Sequence, residues 1–482
     1  MSKTTIIYKD IPPGADNLAA FTTKSATQFS SPTLLRKEND ASTVAALGAW
    51  PLDGSLRTFN NDAVPFWSDE MSGADCAFAH PPVIVMTYPK QYSSVGITFV
   101  FDDIPGAFAS EINIKWYRGN EIVAQGDFYP DENKYTCVMK AQLWNKIVIT
   151  FKKTWIPETR IRLNQLILGV IRKFRMDEIR SARITNQLSL ISTEVPVCTL
   201  NWTLDSKEYV EFLFQFKQKI EVWNDDFIIG VFYLTDSTQK SKTVYDIRCE
   251  DAFGILDNDD FAGGVYSGYS AKQLFLDIIN EDFEVDFGDV ADYKLTGVLQ
   301  RMTRRAALQQ ILFAWGVCAA TDGMDGIRVL ALPSAPAEIG LDRAYTGASV
   351  KTDAVVTEVR VTAHTYKEDA NGTIEINGKK YSDTETVYII KNPDVVGNEQ
   401  SNIVKIEGAN FVNASNGQTI AQRIYDYYMR RNTETAKIVW RGELLGDSVT
   451  LPTAWGASNT GNISRMSITL SNTVAANCEV IA

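Results

Sequence analysis

Histidine is nearly missing from this 482-residue chain: His80 and His364 are the only two. That scarcity leaves little material for a His-rich zinc site or a His-based catalytic triad, and no HExxH metallopeptidase motif is present. Cys76 and His80 lie four apart, yet "DCAFAHPP" runs into two prolines and has no helical character, so it reads as a packed cysteine beside a turn histidine. The six cysteines (Cys76, Cys137, Cys198, Cys249, Cys318, Cys478) are scattered without CxxC spacing, which predicts free thiols, mostly buried. No apolar run reaches the roughly 18 residues of a membrane span, and "MSKTTIIYKDIPPG" lacks the apolar core of a secretion signal, so the expected folding compartment is a cytoplasm. Positive charge is also in deficit, with 47 Lys and Arg against 59 Asp and Glu and a net charge of −12. A nucleic-acid or anionic-membrane binder calls for a basic face. An acidic surface suits a protein that borders DNA without holding it.

What is present is apolar and aromatic content, 45% and 11%, enough for several cores in roughly three domains. From about residue 95 to 170 the hydrophobic period is two. "GITFVF" (96–101), "INIKWY" (112–117), "EIVAQGDF" (121–128) and "NKIVITF" (145–151) alternate apolar and polar residues between turn residues such as Gly119-Asn120, which predicts a sandwich or barrel of short strands. Strand patterns continue to about 250. The period then changes: Ser270 caps a predicted helix that places Leu274, Phe275, Ile278 and Ile279 on one stripe, and Thr303 caps a second with Leu308, Ile311, Leu312 and Trp315 before a Gly316 stop. "LPSAPAEIG" (332–340) reads as a linker. Beyond it Asn377-Gly378 marks a hairpin, 417–431 a helix carrying Ile420, Ile424, Tyr427 and Tyr428 on one side, and "KIVWRGELLGDSVTL" and "SRMSITL" further strands.

The stretch "TVYDIRCEDAFGILDNDDFAGGVYSG" (243–268) raises a chemical question, because Glu250, Asp251, Asp257, Asp259 and Asp260 crowd around two short apolar runs. A calcium loop begun at Asp257 needs an oxygen ligand at its fifth position, Gly at its sixth and an acid at its twelfth, but Phe261, Ala262 and Gly268 stand there. A catalytic carboxylate pair remains formally open. Acids close together on a turn are more often solvated or capping groups. Elsewhere, Trp50, Trp67, Trp116 and Trp155 are candidates for stacking on sugar, though large aromatics in strand phrases are more often core. Asp53 and the pair Asp69-Glu70 are candidates for a structural calcium, against solvated loop acids.

Five phrases in order, "AWPLDGS" (49–55), "PFWSDEMSGADCAF" (65–78), "SSVGITFVFD" (93–102), "INIKWYRGNEIVA" (112–124) and "NKIVITFKKTWIPETRIRLNQLILG" (145–169), resemble the discoidin-type, galactose-binding-like jelly roll of many prophage tail proteins. The following phrases, "DEIRSARITNQLSLISTEVPVCTLNWTLD", the stretch from "FIIGVFYLTD" to "AKQLFLDII", "TRRAALQQILFAWGVCAATDGMDGIRVL" and the later "ELLGDSVTL" (443–451), resemble central hub proteins of phage tail tips and baseplates. The resemblance implies a mainly β fold with an α+β insert. Its expected domains are a jelly roll with an N-terminal arm over 1–170, a first tail-tube-like barrel over 171–250, a small helical α/β insert over 251–340 and a second barrel over 341–482. In that frame the acids of 243–268 are turn and cap residues where the first barrel, ending near Asp251, turns through Gly254 and Gly263-Gly264 into the insert.

The function this implies is structural. A trimeric ring at the distal tip of a phage tail would match a six-fold tail tube to a three-fold tip, its jelly roll facing outward for baseplate contacts or a host glycan. The implied partners are two further copies, a tail tube or distal tail protein, a tape-measure protein, tip or spike proteins, and a host cell-wall saccharide as candidate ligand. DNA would pass through an acidic or neutral channel during ejection without specific binding. The implied location is the virion, after synthesis in the bacterial cytoplasm. No catalytic, cofactor-binding or metal-ligating residue is singled out, no cofactor is expected, and the protein is not expected to be an enzyme. The alternative is a carbohydrate-binding or cell-wall-degrading tail-associated enzyme, because glycosidase carboxylates meet only in space.

Overall fold

The alternating phrases become strands throughout the computed structural model, which describes residues 4–28, 30–36, 64–102, 108–206, 212–395, 401–453, 455–456, 458–470 and 474–482. Strands take up 53% of the chain and helices 11%, so the fold is mainly β with a small helical insert. The chain divides into two compact units. One comprises Ile7–Lys173 with Tyr209–Lys219; the other comprises Met1–Ile6, Phe174–Glu208 and Ile220–Ala482.

In the N-terminal unit an antiparallel sheet runs in the order Phe66–Trp67, Arg162–Ile167, Val83–Phe101, Lys134–Thr154, Ala109–Arg118, Glu121–Phe128. Ala20–Thr22 pairs with the Val83–Phe101 strand as well. The two central strands have 19 and 21 residues, and their mutual register shifts three times between Thr87 and Gly96. Such bulges bend a sheet and sharpen its twist. Residues from both halves of the Val83–Phe101 strand, Ile84 and Met86 on one side of the bend and Ile97 and Phe99 on the other, consequently share one core with Trp116, Trp144 and Phe151. Gly96 permits the bend, because a Cβ there would lie 2.3 Å from the Cys137 carbonyl oxygen. A short helix, α1 (Ala15–Leu18), precedes the sheet.

The larger unit has a sheet ordered Lys219–Asn224, Phe227–Gln239, Val244–Glu250, Thr199–Asp205, Ile179–Gln187, Ser458–Leu470, Ala475–Ile481, Asn432–Val439, Ser349–Thr352. Its seam is the antiparallel register from Ala182↔Leu470 to Gln187↔Arg465. Five strands from the first half of the unit thus lie edge to edge with strands from the last third of the chain. The 332–340 stretch differs from the expected linker: Ala337–Glu338 pairs in parallel with Val449 and Thr450, and Ile339 is buried. Its prolines discourage helix but leave extended backbone free to join a sheet edge.

Three helices form the insert: α2 (Ala252–Leu256), α3 (Ala271–Ile279) and α4 (Arg304–Trp315). Ser270 Oγ accepts from Gln273 N–H and Thr303 Oγ1 from Ala306 N–H, as expected of N-caps, and Gly316 ends α4 at φ 83°. Leu274, Phe275, Ile278, Ile279, Leu308, Ile311 and Leu312 form one core, with Trp315 packed against it. A separate four-stranded sheet, Ile374–Ile376, Lys379–Lys391, Glu358–Glu368 and Ile403–Ile406, packs Val359 and Val361 with Ile420 and Ile424 of α5 (Gly417–Tyr428). Helix α5 stops three residues short of the expected 431, so Arg430 and Arg431 lie beyond it. Asn377 and Gly378, both at positive φ, make the expected hairpin turn.

Candidate functional site

The acid-rich 243–268 stretch was the sequence's strongest chemical candidate, and its acids are joined to structural partners. Asp251 follows the Val244–Glu250 strand and caps α2: it is fully buried, accepts from Gly254 N–H at 3.2 Å and from Thr321 Oγ1 at 2.7 Å. Burial pushes its carboxyl up from 3.8 to about 6 against the downward pull of those hydrogen bonds. Asp257 accepts from Arg305 at 2.8 Å, which holds its carboxyl below the usual range, and Asp260 accepts from Arg301 at 2.9 Å. Asp259 lies 3.7 Å from Arg304. Arg304 is itself buried, bonding Asp282 at 2.6 Å and closing the end of α3 through the carbonyls of Ile278 and Ile279. No two of these carboxyls are left bare and facing each other, which is what acid–base catalysis would need.

A second buried acid ties the insert to the last β segment. Asp322 accepts from Leu445 N–H at 2.6 Å and from Arg328 at 3.3 Å. Leu445 lies in the "ELLGDSVTL" phrase, where Leu444 N–H reaches Asp447 at 2.8 Å and Gly446 takes φ 83° before the Ser448–Pro452 strand. The phrase is therefore a polar-stapled turn.

The remaining candidates separate. Glu70 lies 3.2 Å from His80 Nδ1, while Cys76 Sγ points to the Trp155 carbonyl oxygen at 3.8 Å. Cys76 is half-buried and the other five cysteines are buried; all six are free. Trp67 and Trp116 are buried, and Trp67 carries the Arg162 guanidinium 4.6 Å from its ring centroid. Trp155 is 51% exposed and anchored by its indole N–H to the Pro130 carbonyl at 2.6 Å. Trp50 and Asp53 lie outside the described residues. Asp69 and Glu70 belong to no metal-sized cluster among the described residues.

Sequence reasoning passed over His364. It lies opposite Glu385 in the register of the Glu358–Glu368 and Lys379–Lys391 strands, with Asp383 two residues along, so all three share one sheet face. One ring nitrogen and one oxygen from each carboxylate lie within 4.8 Å of one another. The signal was present, an HxY phrase and a DxE phrase with the same parity, but it becomes legible only once the strand register is known.

Cavities add less. One of about 820 Å³ flanks α5, and its buried cation, Arg423, already donates to the Phe313 carbonyl and lies 5.4 Å from that residue's ring centroid. Among the described residues no helix is long and apolar enough to cross a membrane.

No protein-family model matches the chain, and no curated protein matches it. Among solved structures it is similar to a tail protein from Neisseria meningitidis MC58, at 12% identity and a TM-score of 0.48, covering 64% of this chain and 94% of that one. It is also similar to a 43 kDa tail protein of prophage MuSo2 from Shewanella oneidensis, at 13% identity and a TM-score of 0.45, covering 64% and 95%. A third is a prophage tail protein from Listeria monocytogenes EGD-e, at 13% identity and a TM-score of 0.42, covering 64% and 91%.

Proposed function

We propose that the chain is a structural hub of the distal end of a phage tail or of a related contractile particle, assembling as a three-fold ring that meets a six-fold tube. The observation that carries this reading is the strand order of the larger unit. The Ile179–Gln187 and Ser458–Leu470 strands pair in register, so two β blocks from either side of the helical insert stand edge to edge in one chain. Three such chains present six blocks, which removes the mismatch between a six-fold and a three-fold ring. The open edge suits ring closure. The Ser349–Thr352 strand pairs on one side only among the described strands, and Tyr345 and the 78% exposed Leu341 precede it in the chain. A free edge of this kind, though short and carrying Lys351, is what a neighbouring chain can extend.

On this reading the acids of 243–268 serve the scaffold, DNA passes through the ring without being held, and the chain carries out no catalysis. Its partners are a tube or distal tail protein, a tape-measure protein and tip proteins. The N-terminal unit contacts baseplate neighbours or a host glycan, with exposed Trp155 as the residue available for stacking. A reconstruction of the assembled particle tests the proposal. Three copies around the axis with Ser349–Thr352 at the subunit boundary are expected; a single copy per particle, or a lumen lined mainly by Lys and Arg, overturns it.

A further inference from the structure

We propose that His364, Asp383 and Glu385 bind a divalent first-row transition cation, Zn²⁺ foremost, which clamps the two long strands of the four-stranded sheet. His364 is 6% exposed, and its Nδ1 lies 2.7 Å from Asp383 Oδ2. Its Nε2, on the far side of the ring from Asp383, is buried without a hydrogen-bond partner, so Nδ1 is the nitrogen that a cation shared with Asp383 would take, in exchange for the proton of that contact. Asp383 Oδ1 is likewise buried and bare. Glu385 stands across the strand pair from His364. Neither carboxylate has a lysine or arginine within ion-pair distance among the described residues. Two buried acids elsewhere in this unit have partners: Asp322 has Arg328, and Asp251 has Thr321 and the Gly254 N–H.

One ring nitrogen of His364 and one oxygen of each carboxylate thus gather within 4.8 Å where the chain brings no lysine or arginine. One imidazole and two carboxylates supply the ligand types of a tetrahedral zinc site whose fourth position is left to water, and nitrogen ligation favours Zn²⁺ over Ca²⁺ or Mg²⁺. The ligands come from neighbouring strands, so a bound cation joins Glu358–Glu368 to Lys379–Lys391 and adds to their backbone pairing. Among the described residues it is the sole group of three or more His, Cys, Asp or Glu side chains close enough to hold a metal.

The test uses the full chain, stripped with a chelator and titrated with Zn²⁺ in a calorimeter, beside the Asp383→Asn/Glu385→Gln double variant and His364→Gln. The expected result is one Zn²⁺ per wild-type chain, a raised melting temperature on binding, and affinity lowered by at least about tenfold in each variant that keeps the wild-type circular dichroism spectrum. Ca²⁺ should raise the melting temperature far less. A variant that fails to fold is replaced by Glu385→Gln alone, since Glu385 is exposed. Wild type that binds no Zn²⁺, or binds it no more tightly than the folded variants do, overturns the proposal. A monomeric or trimeric mass leaves this result unaffected, so the site stands or falls independently of the ring.

Discussion

The two units are held together by different means. The N-terminal unit gathers its aromatic residues into one core, Phe66, Phe99, Trp116, Trp144 and Phe151 among them. The larger unit spreads its apolar residues over the insert core, the α5 core and its long sheet, Ile184, Trp202 and Ile468 among them, and ties distant parts of the chain with polar staples. Asp322 reaches Leu445, Arg343 pairs with Glu443 and Gln310 accepts from Asn410 N–H. A single apolar core tolerates repacking, whereas hydrogen-bonded staples accept one register and penalise others. The first arrangement suits a module. The second suits a scaffold whose strands must meet copies of themselves in fixed alignment.

The sharpest break of this comparison lies where the N-terminal unit departs from its own rule. Buried Asp10 accepts from Gln218 Nε2 at 2.7 Å, Tyr8 donates to Gln218, and the Tyr8 ring stacks on Phe214 at 5.8 Å. The segment around Gln218 is therefore part of this unit although it follows in sequence by some forty residues. Cutting the chain after Lys173 leaves Asp10 buried without its amide, and burial already raises its carboxyl. The expected outcome is loss of the cooperative melting transition in residues 1–173, with recovery when 209–219 is appended through a flexible linker. Circular dichroism melts of the two fragments decide this.

Next in size are core truncations. Trp116→Ala in the N-terminal core and Phe275→Ala in the insert core should each cost about 3–5 kcal/mol. If the units unfold separately, calorimetry shows two transitions, and each variant lowers only its own. A single transition lowered equally by both would erase the distinction between module and scaffold.

A pH measurement sharpens the staple side. Folded Asp251 keeps its proton up to about pH 6, whereas the unfolded chain releases it near 3.8, so this group favours the folded state at acid pH and withdraws that support as pH rises from about 4 to 6. Asp251→Asn keeps a cap acceptor without the buried charge. Its stability relative to wild type should therefore rise across that window by on the order of 2 kcal/mol, read from denaturant melts at pH 4, 5 and 7. An unchanged difference between the two proteins across that range would contradict a carboxyl raised by burial. The smallest effect is expected at Trp155, where Trp155→Ala should change stability by no more than about 1 kcal/mol while removing any retention on a cell-wall glycan column.

Local features were legible in the sequence to the extent that their causes are local. Ser270, Thr303 and Gly316 begin and end their helices by hydrogen bonds and a backbone angle set within a few residues, and all three were read correctly. The alternation at 96–101 and 145–151 was read as short strands. It belongs to strands of 19 and 21 residues, because bulges near Tyr92 and Ser94 reset the alternation and hide its continuity. Helix α2 was hidden too, since five residues are too few to show a period. The 182–470 seam leaves no local trace, and the His364–Glu385 pairing leaves only the shared parity of two short phrases, as register between strands is decided by packing.

The claim that joins these observations is that the edge-to-edge β blocks serve to build a ring. Light scattering on the purified full-length chain, across a tenfold range of concentration, tests it most directly. The account predicts a species of three 53.7 kDa chains, reverting to one chain when a lysine pair is placed in the exposed edge at Val350 and Thr352. A mass of one chain at every concentration, together with one copy per assembled particle, would contradict it.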